Sequence, residues 1–223
     1  MNWIIFITIT ILSWGISGLM NHRFKKYSQI YLPLTGREVA EKMLRDNGIY
    51  DVTVTSTPGH LTDHYDPRNK TVNLSEAVYN SNNVAAAAVA AHECGHAVQH
   101  AYSYAPLQMR STLVPVVSFA SKWLTWVILG GILLLETFPQ LLLLGIILYA
   151  LTTLFAFITL PVEINASQRA ILWLEQARVT NQETTPMASS ALRSAAYTYV
   201  VAALSSLGPL IYYILIYVGG SRD

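Results

Sequence analysis

Residues 84–96 decide the fold and read VAAAAVAAHECGH. The run of alanine and valine before the first histidine has high helix propensity, and Asn82 or Asn83 can cap the start of the helix. In a helix, His92 and His96 lie one turn apart on the same face, so both imidazoles can bind one Zn²⁺ ion. Glu93 lies beside that ion, where it can take a proton from a water that the metal activates. The stretch therefore predicts a helix with an H-E-x-x-H zinc motif.

A catalytic zinc site needs a third protein ligand, and the other histidines are poorly spaced for this role. His100 lies about 12 Å along the helix axis from His92, so one metal cannot contact both. His60 and His64 lie about 13 Å apart on a predicted strand, so at most one of them could bind the metal. We expect His60 and His64 to be cleft or surface residues.

Glu163 is the third ligand that we expect. It belongs to a predicted helix whose first turn contains Pro161, just after an apolar stretch. A carboxylate in the first turn could instead only stabilise the helix N-terminus. The membrane topology described below returns Glu163 to the side that holds His92 and His96, and this favours the role of ligand.

The composition indicates a membrane protein. Of the 223 residues, 52% are hydrophobic and 12% are charged, and the mean hydropathy is +0.37. The 14 basic residues nearly balance the 13 acidic ones, so no basic field is available to recruit nucleic acid. The single cysteine, Cys94, excludes an internal disulfide and cysteine-rich zinc sites, and we expect it to be a small core residue.

Four apolar stretches are long enough to cross a membrane: residues 3–20, 113–135, 141–160 and 197–218. The first could be a cleaved signal peptide, but it lacks the basic residues and the cleavage site of one, so we expect an anchor. The short polar turn 136–140 joins the second and third stretches as a hairpin. All basic residues except Arg222 then fall on one side, which the positive-inside rule assigns to the cytoplasm. The prediction is a multi-pass protein of the plasma membrane, with the lipid bilayer as a partner.

The expected fold is mainly α, with four transmembrane helices and a small cytoplasmic α+β, zincin-like core. Thr35 and Glu38 form a capping box for a helix over 36–46. Three strands over 51–57, 60–65 and 71–74 are predicted to form a short antiparallel sheet whose last strand is a free edge. The chain divides into an N-terminal transmembrane anchor (1–22), a cytoplasmic α+β part with the motif helix (23–112), a transmembrane hairpin (113–160), a cytoplasmic helix that carries the third ligand (161–196) and a C-terminal transmembrane helix (197–223).

Several polar residues could support the metal site. His64 and Tyr65 lie at the end of a predicted strand, where either could donate a hydrogen bond to the developing oxyanion. The alternative is a turn with satisfied hydrogen bonds, closed by Asp66. Asn165 and Ser167 could hydrogen-bond a metal-binding side chain or could be helix-cap groups.

The chain resembles the YugP-type neutral zinc metallopeptidases of bacterial membranes. The resemblance rests on residues 59–68 (GHLTDHYDPR), 74–79 (LSEAVY), 89–99 (VAAHECGHAVQ) and 161–170 (PVEINASQRA). It implies a compact gluzincin-like core with His92, His96 and Glu163 as zinc ligands and Glu93 as catalytic base. Cys94 and Ile164 stand where many members of that family have valine and phenylalanine, and both changes keep the position apolar.

These features predict a membrane-embedded zinc metallopeptidase that hydrolyses a peptide or protein substrate, preferably one associated with the membrane. An alternative is a catalytically silent zinc-binding scaffold or adaptor, although a purely structural site has no need for Glu93. An intramembrane site-two-type protease would bury its motif in a span, and the apolar part of the motif helix is too short for that. Nothing in the sequence indicates an oligomeric state.

Overall fold

The computed structural model describes the backbone of residues 2–220 and the side chains of residues 7–219. Helices dominate, and a three-stranded sheet lies between the second and third helices along the chain. The elements in chain order are α1 (Asn2–Tyr27), α2 (Gly36–Asp46), β1 (Thr53–Thr57), β2 (His64–Asp66), β3 (Thr71–Ser75), α3 (Glu76–Tyr79), α4 (Val84–Ala101), α5 (Ala105–Leu133), α6 (Pro139–Gln176) and α7 (Thr184–Gly220).

Three helices in the described part of the chain are long and apolar enough to cross a membrane, namely α5, α6 and α7. They include the second, third and fourth predicted spans, and α5 and α6 pack against each other as the predicted hairpin. The first predicted span lies in α1, but the side chains of its first residues are outside the described part, so this span stays a prediction. Arg222, placed by the sequence on the opposite side of the membrane, is also outside the described residues.

The region around Pro161 differs from the prediction. We expected a new helix to start there, but α6 continues without interruption from Pro139 to Gln176. A proline inside a helix removes one amide donor and one hydrogen bond, and long apolar helices tolerate this where neighbouring helices hold the flanking turns. Helix α6 is packed against α4, α5 and α7. Glu163 therefore belongs to the same rigid helix as the third apolar stretch.

The helix-capping predictions are confirmed. The Thr35 hydroxyl accepts a hydrogen bond from the Glu38 amide, and the Glu38 carboxylate accepts one from the Thr35 amide at 2.8 Å. Gly48 follows α2 with a φ of 70°, the left-handed conformation that favours glycine. At the start of α4, the Asn83 side chain accepts a hydrogen bond from the Ala86 amide at 2.9 Å. The caps fix where both helices begin.

The sheet is mixed, so the predicted antiparallel sheet is wrong. The strand order is β1-β3-β2, with β1 parallel and β2 antiparallel to β3. Val72 and Leu74 of β3 are fully buried, whereas β1 and β2 contain only partly buried and exposed residues. The strand with the most buried side chains takes the central position, because both of its neighbours then shield it from water. β3 is consequently not the free edge that we expected, and β2 is an edge strand.

Helix α4 lies at the centre of the hydrophobic core that also includes the sheet. It packs against α2 on one side and against α6 on another, with α7 and the sheet also in contact. Cys94 is fully buried in this core and lies 3.5 Å from the Ala40 carbonyl oxygen, so the prediction of a small core residue is confirmed. Burial raises the pKa of the Cys94 thiol well above its usual value, which keeps it protonated and unreactive.

Candidate metal centre

The site forms where α4 crosses α6. Gly95 lies between the two motif histidines and faces Ala166 of α6. A β-carbon at Gly95 would lie only 2.7 Å from the Ala166 carbonyl oxygen and 3.2 Å from its Cα. No residue other than glycine could occupy this position without pushing the helices apart. The close crossing brings Glu163, one turn before Ala166, next to the histidines.

The structure places the three predicted ligands together. The donor atoms of His92, His96 and Glu163 all lie within 4.8 Å of one another. The Glu163 Oε2 atom is 3.3 Å from the Nε2 atom of His92 and 3.6 Å from that of His96. All three side chains are largely buried, and only 4% of the Glu163 side chain is exposed. A buried carboxylate that faces two imidazoles is a favourable arrangement for a divalent cation.

The ligand types fit zinc, and so do the two ligand distances that involve Glu163. Ligand atoms at about 2.0 to 2.2 Å from a tetrahedral zinc are separated by about 3.3 to 3.6 Å from each other. The two distances from Glu163 to the imidazole nitrogens lie in this range. Two histidines with one glutamate form a ligand set that leaves a fourth position open, as catalytic zinc sites require. The residues present therefore fit the metal.

Hydrogen bonds on the far side of each imidazole orient the rings. The Ser167 hydroxyl lies 3.1 Å from Nδ1 of His92, and the Gln99 side-chain oxygen lies 3.0 Å from Nδ1 of His96. Gln99 is fully buried, and its amide nitrogen donates to the Val162 carbonyl oxygen at 2.8 Å. Because the Nδ1 atoms are engaged, the Nε2 atoms are left to face Glu163 and a metal.

Asn165 extends this network. Its side-chain oxygen accepts hydrogen bonds from the Gln99 amide at 3.0 Å and from Arg169 Nε at 2.8 Å. The sequence offered Ser167 and Asn165 as possible supporting residues. Ser167 contacts a metal-site imidazole directly, whereas Asn165 acts through Gln99, whose role the sequence did not indicate.

The site has a strong local electrostatic field. Burial lowers the pKa of His96, but its hydrogen bond with Glu163 and the negative charges of Glu93 and Glu163 outweigh burial, so the pKa is raised. On the other side of Glu163, Arg110 Nη1 lies 3.5 Å from Oε1. The two oxygens of Glu163 thus have different surroundings, with Oε2 toward the imidazoles and Oε1 toward a guanidinium.

A cleft of about 790 Å³ opens in front of the three side chains. Its walls include β2, the end of α4 and the first turns of α5. Glu93 lines this cleft and also a smaller cavity of about 160 Å³ with apolar walls from α1 and α7. The predicted base therefore lies beside the metal ligands at the junction of two cavities, one of them large enough for a peptide.

The other predicted site residues also line the cleft. The Tyr65 hydroxyl lies 2.8 Å from Nδ1 of His100, and burial raises the pKa of Tyr65. The His64 ring has partners on both nitrogens, the Thr62 carbonyl oxygen at 2.7 Å and the Asn73 amide nitrogen at 3.2 Å. Neither His64 nor His100 belongs to the possible metal-binding group among the described residues. For His100 this agrees with the prediction from its spacing to His92, whereas the spacing left His64 open.

The turn after β2 is closed by Asp66, as expected. Its carboxylate accepts hydrogen bonds from the amides of Arg68 at 2.8 Å and Asn69 at 3.3 Å. The hydrogen bonds that Asp66 accepts from the Arg68 amide and from Asn69 lower its pKa, so the Asp66 carboxylate stays charged in the turn. Asp63 binds the amide and hydroxyl of Ser75, which fixes the segment before β2 against the end of β3.

Two cleft residues were missed by the sequence analysis. Arg110 and Tyr199 both line the cleft, and both interact with Glu163. The buried Nε atom of Arg110 has no hydrogen-bond partner in the described part of the chain. In the sequence, Arg110 reads as a flanking charge before an apolar helix and Tyr199 as an interfacial aromatic. Only the packing of α5 and α7 around α6 brings them to the site.

The comparisons with known proteins agree with this geometry. The model of a family described as "Putative neutral zinc metallopeptidase" matches residues 2–218. The chain belongs to this family. It is also 42% identical over 226 residues to "Putative membrane protease YugP" of Bacillus subtilis (strain 168). This alignment covers 98% of this chain and 99% of the relative. No solved structure matches.

Membership of the family identifies zinc as the cofactor, with His92, His96 and Glu163 grouped as the site that could hold it. The family is one of peptidases, so a peptide or protein is the expected type of substrate. Three apolar helices and the name of the relative point to the membrane.

Proposed function

We propose that the protein is a zinc-dependent metalloendopeptidase of the plasma membrane, with its active site at the cytoplasmic membrane surface. One observation carries the proposal. The Nε2 atoms of His92 and His96 converge on Oε2 of Glu163 at the wall of an open cleft, while their Nδ1 atoms are held by other side chains. Such an arrangement is suited to a catalytic zinc, because it supplies three ligands and leaves one position toward the substrate.

Glu93 is the proposed general base. When bound, zinc polarises the scissile carbonyl and activates the attacking water. Glu93 follows His92 directly and lines the cleft, so its carboxylate can accept the proton of that water and then donate it to the leaving amine. A scaffold or adaptor would need neither this carboxylate nor the cleft, so both features favour catalysis over the alternative.

Several donors in the cleft could stabilise the developing oxyanion. We propose Tyr65 rather than His64 as this donor. The Tyr65 hydroxyl can accept a hydrogen bond from His100 and still donate one, whereas both ring nitrogens of His64 already have partners. Arg110 adds a guanidinium to the lining of the cleft, with its Nη1 atom 3.5 Å from Oε1 of Glu163. A charged donor beside the reacting carbonyl would favour the transition state over the substrate.

The substrate would bind in an extended conformation along β2. The outer edge of β2 pairs with no other strand in the described chain, and His64, Tyr65 and Asp66 line the cleft. A peptide that adds to this edge receives main-chain hydrogen bonds and passes in front of the metal ligands. The edge available to a substrate is thus that of β2, because β3 is the central strand.

The proposed position in the membrane follows from α6. Glu163 lies three residues after Leu160, the end of the third apolar stretch, and this corresponds to about 5 Å along a helix. The basic residues that flank the apolar stretches support a cytoplasmic orientation for this side. A site at this depth favours substrates that are themselves anchored in the bilayer, because anchoring raises their local concentration.

The test is the Glu93→Gln variant, purified in detergent, loaded with zinc and assayed with a fluorogenic peptide library. Zinc content should stay near one ion per chain, and turnover should fall by at least about 10²-fold, because only the proton transfer is removed. Glu175→Gln is the matched control, since Glu175 is exposed and does not line either cavity at the metal site. Wild-type turnover in a zinc-loaded Glu93→Gln variant would refute the proposed role of Glu93.

A further inference from the structure

A separate cavity of about 430 Å³ lies between α1, α6 and α7. It shares no lining residue with the two cavities at the metal site. Its polar lining consists of two guanidinium groups, several hydroxyl groups and one phenol, contributed by Arg23, Arg193, Thr185, Ser189, Ser190 and Tyr197. In the part of the chain that the structure describes, no aspartate or glutamate lines it. The cavity is therefore positively charged and rich in hydrogen-bond donors.

No ion pair within the described part of the chain neutralises this positive charge. None of the ion pairs among the described residues involves Arg23 or Arg193. Arg23 is partly buried and is held in place by its Nη1 atom, which donates to the Ser190 carbonyl oxygen at 3.1 Å. A guanidinium has five N–H donors, so this bond leaves most of them available. The cavity presents a fixed cation to an anionic ligand.

The predicted membrane spans put both arginines at the depth of lipid headgroups. Arg23 follows Met20, the end of the first apolar stretch, by three residues, and Arg193 precedes Tyr197, the start of the fourth, by four. These separations correspond to about 5 and 6 Å along a helix. The headgroup layer on each side of a bilayer is about 5 to 8 Å thick. α1 and α7 pack together, and Tyr197 provides an aromatic residue of the kind found at this level.

We propose that this cavity binds the headgroup of an anionic phospholipid, with Arg23 and Arg193 contacting its phosphate. The hydroxyl groups of Thr185 and Ser189 would hydrogen-bond the polar part of the headgroup. The acyl chains would extend past Tyr197 along the apolar surface of α7. Basic pockets between membrane helices on the cytoplasmic side are suited to such ligands. A bound lipid would tie α1 to α7, and the inference does not depend on the proposed peptidase activity.

The experiment uses the full-length, zinc-loaded protein in neutral detergent, titrated with dioctanoyl phosphatidylglycerol and followed by native mass spectrometry. The Arg23→Gln/Arg193→Gln variant should bind this lipid about 10- to 30-fold more weakly than the wild type, because each arginine contributes a favourable contact at the membrane surface. Lys25→Gln/Lys26→Gln is the matched control. It removes the same charge at the same level, but neither lysine lines the cavity, so its affinity should change by less than about threefold.

Two further measurements make the result decisive. Arg193→Gln alone should weaken binding by about threefold or more, and it tests the site without disturbing the contact between Arg23 and Ser190. Dioctanoyl phosphatidylcholine should bind at least about tenfold more weakly than phosphatidylglycerol, and millimolar sodium phosphate should not displace the anionic lipid. Equal losses in the arginine and lysine pairs, or unchanged binding in the arginine pair, would overturn the proposal. Displacement by free phosphate would assign the cavity to a soluble anion instead.

Discussion

Replacing Gly95 by alanine should damage the metal centre without touching a ligand. The added methyl group would lie 2.7 Å from the Ala166 carbonyl oxygen, whereas an ordinary contact begins at 3.4 Å. The crossing of α4 and α6 must therefore widen by about 0.7 Å. The obstacle is backbone rather than the flexible end of a side chain, so rotation of a side chain cannot relieve it. Because Glu163 is one turn away on α6, it moves away from His92 and His96 together with Ala166.

The size of this movement determines the expected effect. Metal–ligand distances tolerate errors of only about 0.2 Å, so a separation of about 0.7 Å leaves Glu163 out of reach unless the helices are strained back. We expect the zinc affinity to fall by at least about tenfold, comparable with the loss of a supporting hydrogen bond. The forced overpacking should also lower the free energy of unfolding by about 1 to 3 kcal/mol.

The assay is a competition titration of zinc against a chromogenic chelator, with circular dichroism as a check on the helical content. Gly130→Ala is the control, since a methyl group there meets only the end of the Leu141 side chain, at 3.3 Å. Its zinc affinity should equal that of the wild type. If folded Gly95→Ala protein bound zinc as tightly as the wild type, the close crossing would not be what sets the ligand geometry.

Three further predictions concern the site and its substrate. Glu163→Ala should weaken zinc binding and turnover together, as measured by elemental analysis and peptide hydrolysis. If His64→Ala removed the zinc and Glu163→Ala did not, the ligand set would be wrong. Arg110→Leu should keep zinc but lower kcat/KM by about 10- to 100-fold, since a charged hydrogen-bond donor to the substrate is lost. Thr112→Val is the control variant. Loss of zinc from Arg110→Leu would show that Arg110 holds Glu163 in position. One peptide sequence should be cleaved faster in liposomes with a transmembrane anchor than without it, and equal rates would show that the membrane does not select substrates.

Local signals in the sequence were sufficient for α4, which carries the motif histidines, and for α2, which packs against it. The alanine-rich run before His92, the cap at Asn83 and the capping box of Thr35 with Glu38 depend on neighbours within a few residues, and the structure confirms them. The juxtaposition of Glu163 with the motif histidines was also predictable, because a hairpin of two apolar stretches returns the chain to the same side. Its role as a ligand remains a prediction.

The features that the sequence did not indicate depend on contacts between distant segments. The strand order depends on which strand is most buried, and three strands with turn signals between them are compatible with several orders. The continuity of α6 through Pro161 depends on the helices packed around it. Arg110 and Tyr199 enter the site from helices that the sequence describes only as apolar, and Gln99 has no pattern that distinguishes it from a surface residue.

The three residues that could hold the metal come from two segments that are far apart along the chain, with the α5–α6 hairpin between them. During synthesis, the two histidines emerge long before Glu163, and two imidazoles alone form an incomplete site. The site becomes complete only when the hairpin has entered its final position and the end of α6 has returned to α4. On the proposed ligand set, acquisition of zinc would be coupled to the last steps of assembly, and a chain whose hairpin had not reached its final position would have an incomplete metal site.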